Sequence, residues 1–300
     1  MKNFTEALEL ARSKGKKVVS VACAQDKEVL LAVEMARKEG IVDAILVGDQ
    51  TEIERIAGEN NISVDNYRVV DKKDVTEASR EAVRLVSSGE AHMLMKGLVD
   101  TSIILKAVLD KEIGLRGDSI LSHVAVFEVE GWDRLFYVTD AAMNIAPDLA
   151  AKKKIIENAV KVARALEIEV PKVACLCAKE KVNAKMPDTV DAKALEDMNK
   201  NGELKDCLVG GPFALDNAIS EEAARHKGMV HPVAGKADIL MAGDIEAGNI
   251  LYKSMAFFAR SKNAGIIVGA KKPIILTSRA DNEEAKLNSI ILGSLTSDKL

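Results

Sequence analysis

Short runs rich in valine and isoleucine alternate along the chain with longer amphipathic stretches. The first part reads Lys17 to Ala22 followed by 26–39, Ala44 to Val47 by 51–60, Tyr67 to Val70 by 74–87, and His92 to Met95 by 101–111. The runs have strand length and the intervals helix length, which predicts repeated βα units and a mostly parallel, doubly wound sheet. The rhythm changes near residue 121, where Leu121 to Val129 and Arg134 to Thr139 flank Glu130-Gly131-Trp132-Asp133, a hairpin pattern. From Pro147 the alternation resumes, with a helix to about Leu166, a strand over 172–177 and a helix after Pro187. Strands over 207–209 and 237–241 then bracket a helix at 214–227, and a helix at about 246–260 precedes strands over 265–269 and 273–277. The last helix, 282–295, has no strand after it and is expected to return to the first domain. The expected fold is α/β, with two domains of mostly parallel doubly wound sheet and a ligand cleft between them. The expected boundaries are 1–125 plus 280–300 for the first domain and 126–279 for the second.

Composition narrows the class. Three hundred residues, 48% hydrophobic and 29% charged, suffice for two cores, and a net charge of −4 with interspersed lysine and glutamate gives no basic field for nucleic acid. The start, Met1 to Glu6, lacks the apolar core of a signal peptide, and no apolar run has membrane-spanning length, so a cytoplasmic location is expected. Cys23, Cys175, Cys177 and Cys207 form no CxxC, and Cys175 and Cys177 would face the same way on a strand, so buried thiols are expected. His92, His123, His226 and His231 have no metal-ligand spacing.

Candidate chemistry lies where apolar runs end. No GxGxxG follows the first strand, where Val21-Ala22-Cys23-Ala24-Gln25-Asp26 stands, and no GxxxxGK[ST] occurs, which disfavours dinucleotide enzymes and P-loop kinases. Pro273 to Thr277 empties into Ser278-Arg279-Ala280-Asp281 at a helix start, where amides, a hydroxyl and a guanidinium converge. This is either an oxyanion site or a helix cap supplied by Ser278 or Asp281. Four further clusters combine polar groups with turn residues: Lys96 to Ser102 with Lys106, Thr139 to Asn144, Gly210 to Ala218, and Asp244 to Ser254 with Glu246, Asn249 and Lys253 on one helix face. Each has an ordinary reading as a turn, a cap or a solvated face.

In this order, and with Ser122-His123-Val124, the clusters resemble the phosphate acetyl/butyryltransferase family over nearly the whole chain. The wording Ser-His-Val-Ala-Val-Phe-Glu from Ser122 and Met-Asn-Ile-Ala-Pro-Asp from Met143 is most like the butyryl members. The resemblance implies reversible transfer of a short acyl group between CoA and inorganic phosphate through a ternary complex. The partners are then acyl-CoA, phosphate, acyl phosphate and CoA, with CoA a substrate and no cofactor. It also implies a fold like the isocitrate and isopropylmalate dehydrogenases, and a homodimer or higher homo-oligomer formed through the second domain.

Carried over by position, the resemblance makes Ser278, Arg279 and Asp281 the catalytic candidates, with Arg279 holding phosphate and Ser278 bonding the reacting group. The family aspartate thought to deprotonate the CoA thiol falls on Ala285, so Asp281, Glu283 and Glu284 compete for that role and Asp281 is favoured by its nearness to Arg279. A second family arginine falls on Lys106, which keeps charge without a bidentate fork. The substrate-binding candidates are Lys96, Gly97, Thr101, Lys106, Ser122, His123, Asp140, Asn144, Gly211, Asp244, Glu246 and Asn249. The competing readings are a phosphate acetyltransferase, a decarboxylating dehydrogenase, and a CoA- or anion-binding protein without turnover.

Overall fold

A computed structural model describes residues 1–278 and 281–299 of the chain. The alternation becomes α1 (Phe4–Ser13), β1 (Lys17–Ala22), α2 (Lys27–Lys38), β2 (Val42–Gly48), α3 (Gln50–Glu59), β3 (Arg68–Asp71), α4 (Val75–Ser87), β4 (Met93–Lys96) and α5 (Thr101–Val108). Strands β1, β2, β3 and β4 are parallel neighbours in the order β3-β2-β1-β4. Val19, Val21, Leu46, Leu94 and Met95 are buried, as continuous apolar strands covered on both faces require. Helix starts are fixed by aspartates: Asp26, Asp49 and Asp74 each accept backbone amides of the first turn. Helix α1 escapes the sequence reading because two of its three buried positions, Phe4, Ala7 and Ala11, are alanines.

Next come β5 (Ser122–Glu128), β6 (Leu135–Thr139), α6 (Leu149–Ala165), β7 (Lys172–Leu176), α7 (Pro187–Lys200), β8 (Leu208–Phe213), α8 (Leu215–Ile219), α9 (Glu221–His226), β9 (Ile239–Met241) and α10 (Ile245–Lys253). The hairpin is present: β5 and β6 are antiparallel, with Val126 opposite Tyr137. The strand order is β5-β6-β9-β7-β8, and every pairing after the hairpin is parallel. Phe127, Phe136, Val138, Phe213 and Leu240 fill one apolar cluster. Two expected helices are broken. The stretch 214–227 divides at Ser220, whose extended backbone ends α8 and whose hydroxyl caps α9. Helix α10 stops at Lys253 and continues as a π turn, Ser254–Phe258.

The chain then adds β10 (Lys262–Val268), β11 (Ile274–Ile275) and α11 (Glu283–Thr296). Strand β11 lies parallel to β4 and antiparallel to β10, and α11 packs on α1 and α2. One compact unit comprises Phe4–Asp118 with Asn263–Leu300, and the other Ser119–Lys262 with Met1–Asn3. The fold is thus mixed α/β with mostly parallel strand pairing. Among the described residues, no helix is long and apolar enough to cross a membrane.

Candidate functional site

In the unit holding the N-terminal strands, the carboxyl ends of β1, β4 and β11 are neighbours. Ala22 pairs with Lys96 and Ile275 with Met95, so the segments Cys23–Asp26, Lys96–Gly97 and Thr277–Ser278 leave the sheet side by side. Open α/β sheets place ligands at such strand ends. Gly97 donates its amide to the Ala22 carbonyl at 2.8 Å, and a Cβ there would stand 2.3 Å from the Cys23 oxygen. Only glycine fits this crossing. Lys96 is buried, with Nζ 3.3 Å from the Gly97 carbonyl. Thr101 opens α5, while Lys106 lies exposed in its last turn.

Asn282, not Ser278 or Asp281, caps α11: its Oδ1 accepts the Ala285 amide at 2.9 Å. Asp281 turns back instead. Its Oδ2 accepts the Ser278 amide at 2.7 Å and its own amide donates to the Ser278 carbonyl at 3.1 Å. Arg279 lies outside the described residues. Lys286, which the sequence reading passed over, is 4% exposed and donates to the Asp281 carbonyl at 2.5 Å. A lysine near a helix N-terminus, against the macrodipole, was the signal that could have found it.

The second cluster lies in the other unit, at the end of β6. Asp140 is buried and its carboxylate accepts the amides of Ala142, Met143 and Asn144 at 2.9, 3.0 and 3.2 Å, and the Asn144 side chain at 2.6 Å. Asn144 also donates to the Leu121 carbonyl at 2.9 Å, and Thr139 Oγ1 to the His123 carbonyl at 2.8 Å, tying this turn to the start of β5. Buried Ser122 meets Asn158 Nδ2 at 2.9 Å, and the His123 ring meets Tyr252 edge-on at 5.8 Å. Asn249 donates to the Ala141 carbonyl at 3.1 Å, and a Cβ on Gly248 would lie 2.2 Å from the Asp140 oxygen, so α10 is held directly against the turn. Asp244 caps α10 through the Ala247 amide at 2.8 Å, and Glu246 is exposed in its first turn.

Gly211 is not brought to this turn. Its added Cβ would meet Cys175 at 2.9 Å and Ala192 at 3.0 Å, so it serves packing of α7 on β7 and β8. The sequence reading also passed over Lys152, whose buried ammonium lies 2.7 Å from both Asp188 and Asp191. Among the described residues, no cluster of three or more His, Cys, Asp and Glu side chains could hold a metal ion.

The thiols bear on mechanism. Burial is the leading cause that pushes Cys23, Cys177 and Cys207 up to about 11, and it raises Cys175 further. All four are protonated near neutrality and poor nucleophiles.

The chain matches the family model described as "Phosphate acetyl/butaryl transferase" over residues 3–81 and 72–294. It is 53% identical over 294 residues to a phosphate butyryltransferase of Clostridium beijerinckii, covering 98% of this chain and 97% of the relative. It is 46% identical over 293 residues to a phosphate acetyltransferase of Thermotoga maritima, covering 97% and 99% respectively. The crystal structure of a branched-chain phosphotransacylase from Enterococcus faecalis V583 superposes with a TM-score of 0.84 at 38% identity, covering 95% of this chain and 100% of that one. With a family match spanning nearly the whole chain and relatives at this identity over their full length, the chain belongs to the phosphate acetyl/butyryl transferase family.

Proposed function

We propose that this acyltransferase moves a short acyl group, butyryl first, between CoA and inorganic phosphate, releasing acyl phosphate and CoA in one direction and reversing in the other. The observation that carries the reading is the full-length likeness to the Clostridium beijerinckii phosphate butyryltransferase. The adjacency of Lys96–Gly97 and Thr277–Ser278 at neighbouring strand ends supports it.

A CoA thiol, with a pKa of about 8.5, is mostly protonated at neutral pH, so a carboxylate base assists its attack on the acyl phosphate carbonyl. In our reading Asp281 is that base, Ser278 bonds the reacting group and Arg279 neutralises the phosphate. Lys96, Gly97 and Thr101 cradle the anion, since cations and aligned amides stabilise the developing oxyanion and the leaving phosphate. Ser122, His123, Asp140, Asn144, Asp244, Glu246 and Asn249 shape the remaining substrate contacts. The protonated thiols favour direct transfer in a ternary complex over an acyl-enzyme.

The finer architecture is also a proposal: two domains like those of isocitrate and isopropylmalate dehydrogenases, with the expected divisions at 125/126 and 279/280 moved to those of the compact units, 118/119 and 262/263. A homodimer through the second domain is supported by the apolar exposure of Ile250, Phe257 and Phe258, the last 90% exposed. A cytoplasmic location suits these substrates.

Each methylene buried in an acyl pocket is worth only about 0.8 kcal/mol, so neighbouring chain lengths should react as well. Acetyl is the second reading, favoured by the likeness to the Thermotoga maritima phosphate acetyltransferase. The test is release of free thiol from acyl-CoAs of roughly two to six carbons, straight and branched, with and without phosphate. A maximum at four carbons supports butyryl, a maximum at two supports acetyl, and no phosphate-dependent release overturns both.

A further inference from the structure

Lys286 is the fourth residue of α11 and is 4% exposed. Two physical penalties meet at this position. An ammonium withdrawn from water loses hydration, and a cation near a helix N-terminus opposes the macrodipole. The side chain has three donors, and among the described residues it reaches one acceptor, the Asp281 carbonyl at 2.5 Å, with no carboxylate within ion-pair distance. Lys152 shows the contrast: it is equally buried, and two carboxylates meet it at 2.7 Å.

Helical side chains lean toward the N-terminus, so the Lys286 ammonium is carried to the turn that Ser278 and Asp281 close. That turn lies beside the Lys96–Gly97 strand end. A buried ammonium at this place is stable when an anion completes it. Lys106, where the family resemblance implies a second cation, lies exposed in the last turn of α5.

We propose that Lys286 is a phosphate-binding residue: its ammonium pairs with a phosphoryl oxygen of inorganic phosphate or of the acyl phosphate while it holds the Asp281 carbonyl. The inference rests on the acyltransferase reading above and assigns it a second cation in addition to Arg279. The phosphates of CoA have the same chemistry, and the experiment separates the two sources.

The test compares the full chain with Lys286→Met and Lys286→Gln, the latter keeping a donor for the Asp281 carbonyl without the charge. Thermal midpoints are read in phosphate-free buffer, with inorganic phosphate, with potassium chloride at matched ionic strength and with CoA alone. Phosphate should raise the wild-type midpoint and chloride should not, since a ligand stabilises the state it binds. Both variants should lose that rise, keep a phosphate-free midpoint no lower than the wild type, and show a KM for phosphate increased about tenfold or more, with the KM for acyl-CoA little changed. If Lys286→Met does not fold, Lys286→Gln carries the comparison. A phosphate shift and phosphate KM that survive in the variants would overturn the proposal, as would a Lys286-dependent shift produced by CoA and not by phosphate. A Lys286-dependent phosphate shift in a wild type that releases no CoA would leave the anion site standing and remove the acyl-transfer reading alone.

Discussion

Ser278 and Asp281 hold each other: the Ser278 amide donates to the Asp281 carboxylate at 2.7 Å while the Asp281 amide donates back to the Ser278 carbonyl at 3.1 Å. One aspartate therefore has a conformational role and a proposed chemical one, and substitution separates them. Asparagine retains an oxygen acceptor for Ser278 but cannot take a proton from a thiol. Asp281→Asn should lower kcat by about a hundredfold or more with an unchanged thermal midpoint, the scale of a lost general base. Near-normal turnover in that variant, with loss in Asp281→Ala, would reduce Asp281 to a turn residue and pass the base to Glu283 or Glu284.

Gly97 makes a sterically harder prediction. A methyl group there would meet the Cys23 and Ala22 carbonyl oxygens at 2.3 and 2.7 Å, both backbone atoms with no flexible end to move aside. Gly97→Ala should displace the Lys96–Gly97 turn and reduce kcat/KM by about tenfold or more, equivalent to at least about 1.4 kcal/mol of transition-state stabilisation. Gly58, whose added Cβ meets nothing within 4 Å, is the control. Equal kcat/KM values for the two alanine variants would contradict the account.

The βα rhythm was legible because strands such as β1 and β4 are buried on both sides and read as continuous apolar runs. The hairpin was legible from Glu130-Gly131-Trp132-Asp133 between two such runs. Ser220 could not be recognised as the break between α8 and α9, since a serine inside an amphipathic stretch also suits a helix surface. Among the site candidates, Lys96 and Ser278 carry turn and strand-end signals that are visible in the sequence. Lys152 was passed over because a buried lysine is indistinguishable in sequence from the surface lysines that outnumber it, and Lys286 because its one signal, a cation against the helix macrodipole, is also borne by solvated lysines.

Lys152 is the stability test. Its side chain is 6% exposed and meets Asp188 and Asp191, and a Cβ on Gly243 would lie 2.6 Å from the Asp188 carboxyl carbon. Removing one partner of a buried ion pair costs about 3–5 kcal/mol. Asp188 is 46% exposed and keeps much of its hydration, so Lys152→Met should fall at or below the lower end, about 1–3 kcal/mol by urea unfolding. A loss under about 0.5 kcal/mol, the scatter of surface substitutions, would show that the triad contributes nothing to stability.

Two histidines contribute to the loss of stability on mild acidification. His92 Nδ1 accepts the Val18 amide at 3.0 Å, and burial, followed by Lys17 and Lys272, holds its imidazole below the ordinary value. His231 is lowered in the same way, again chiefly by burial. With the folded pKa depressed, the unfolded chain binds the proton more readily, so stability is present above the ordinary histidine value of about 6.5 and declines as pH falls through it. Unfolding free energy should be smaller at pH of about 5.5 than at about 7.5, and His92→Asn, which keeps an acceptor that does not titrate, should flatten the difference. A variant with the wild-type slope would remove His92 as a cause.

Phosphate-dependent acyl transfer is tested by the free CoA that the purified chain releases from butyryl-CoA with and without inorganic phosphate, alongside Arg279→Ala. Release should require phosphate and yield butyryl phosphate in equal amount, and Arg279→Ala should turn over about a hundredfold more slowly or worse while remaining folded. Release that ignores phosphate, or an Arg279→Ala variant with wild-type turnover, would contradict the account.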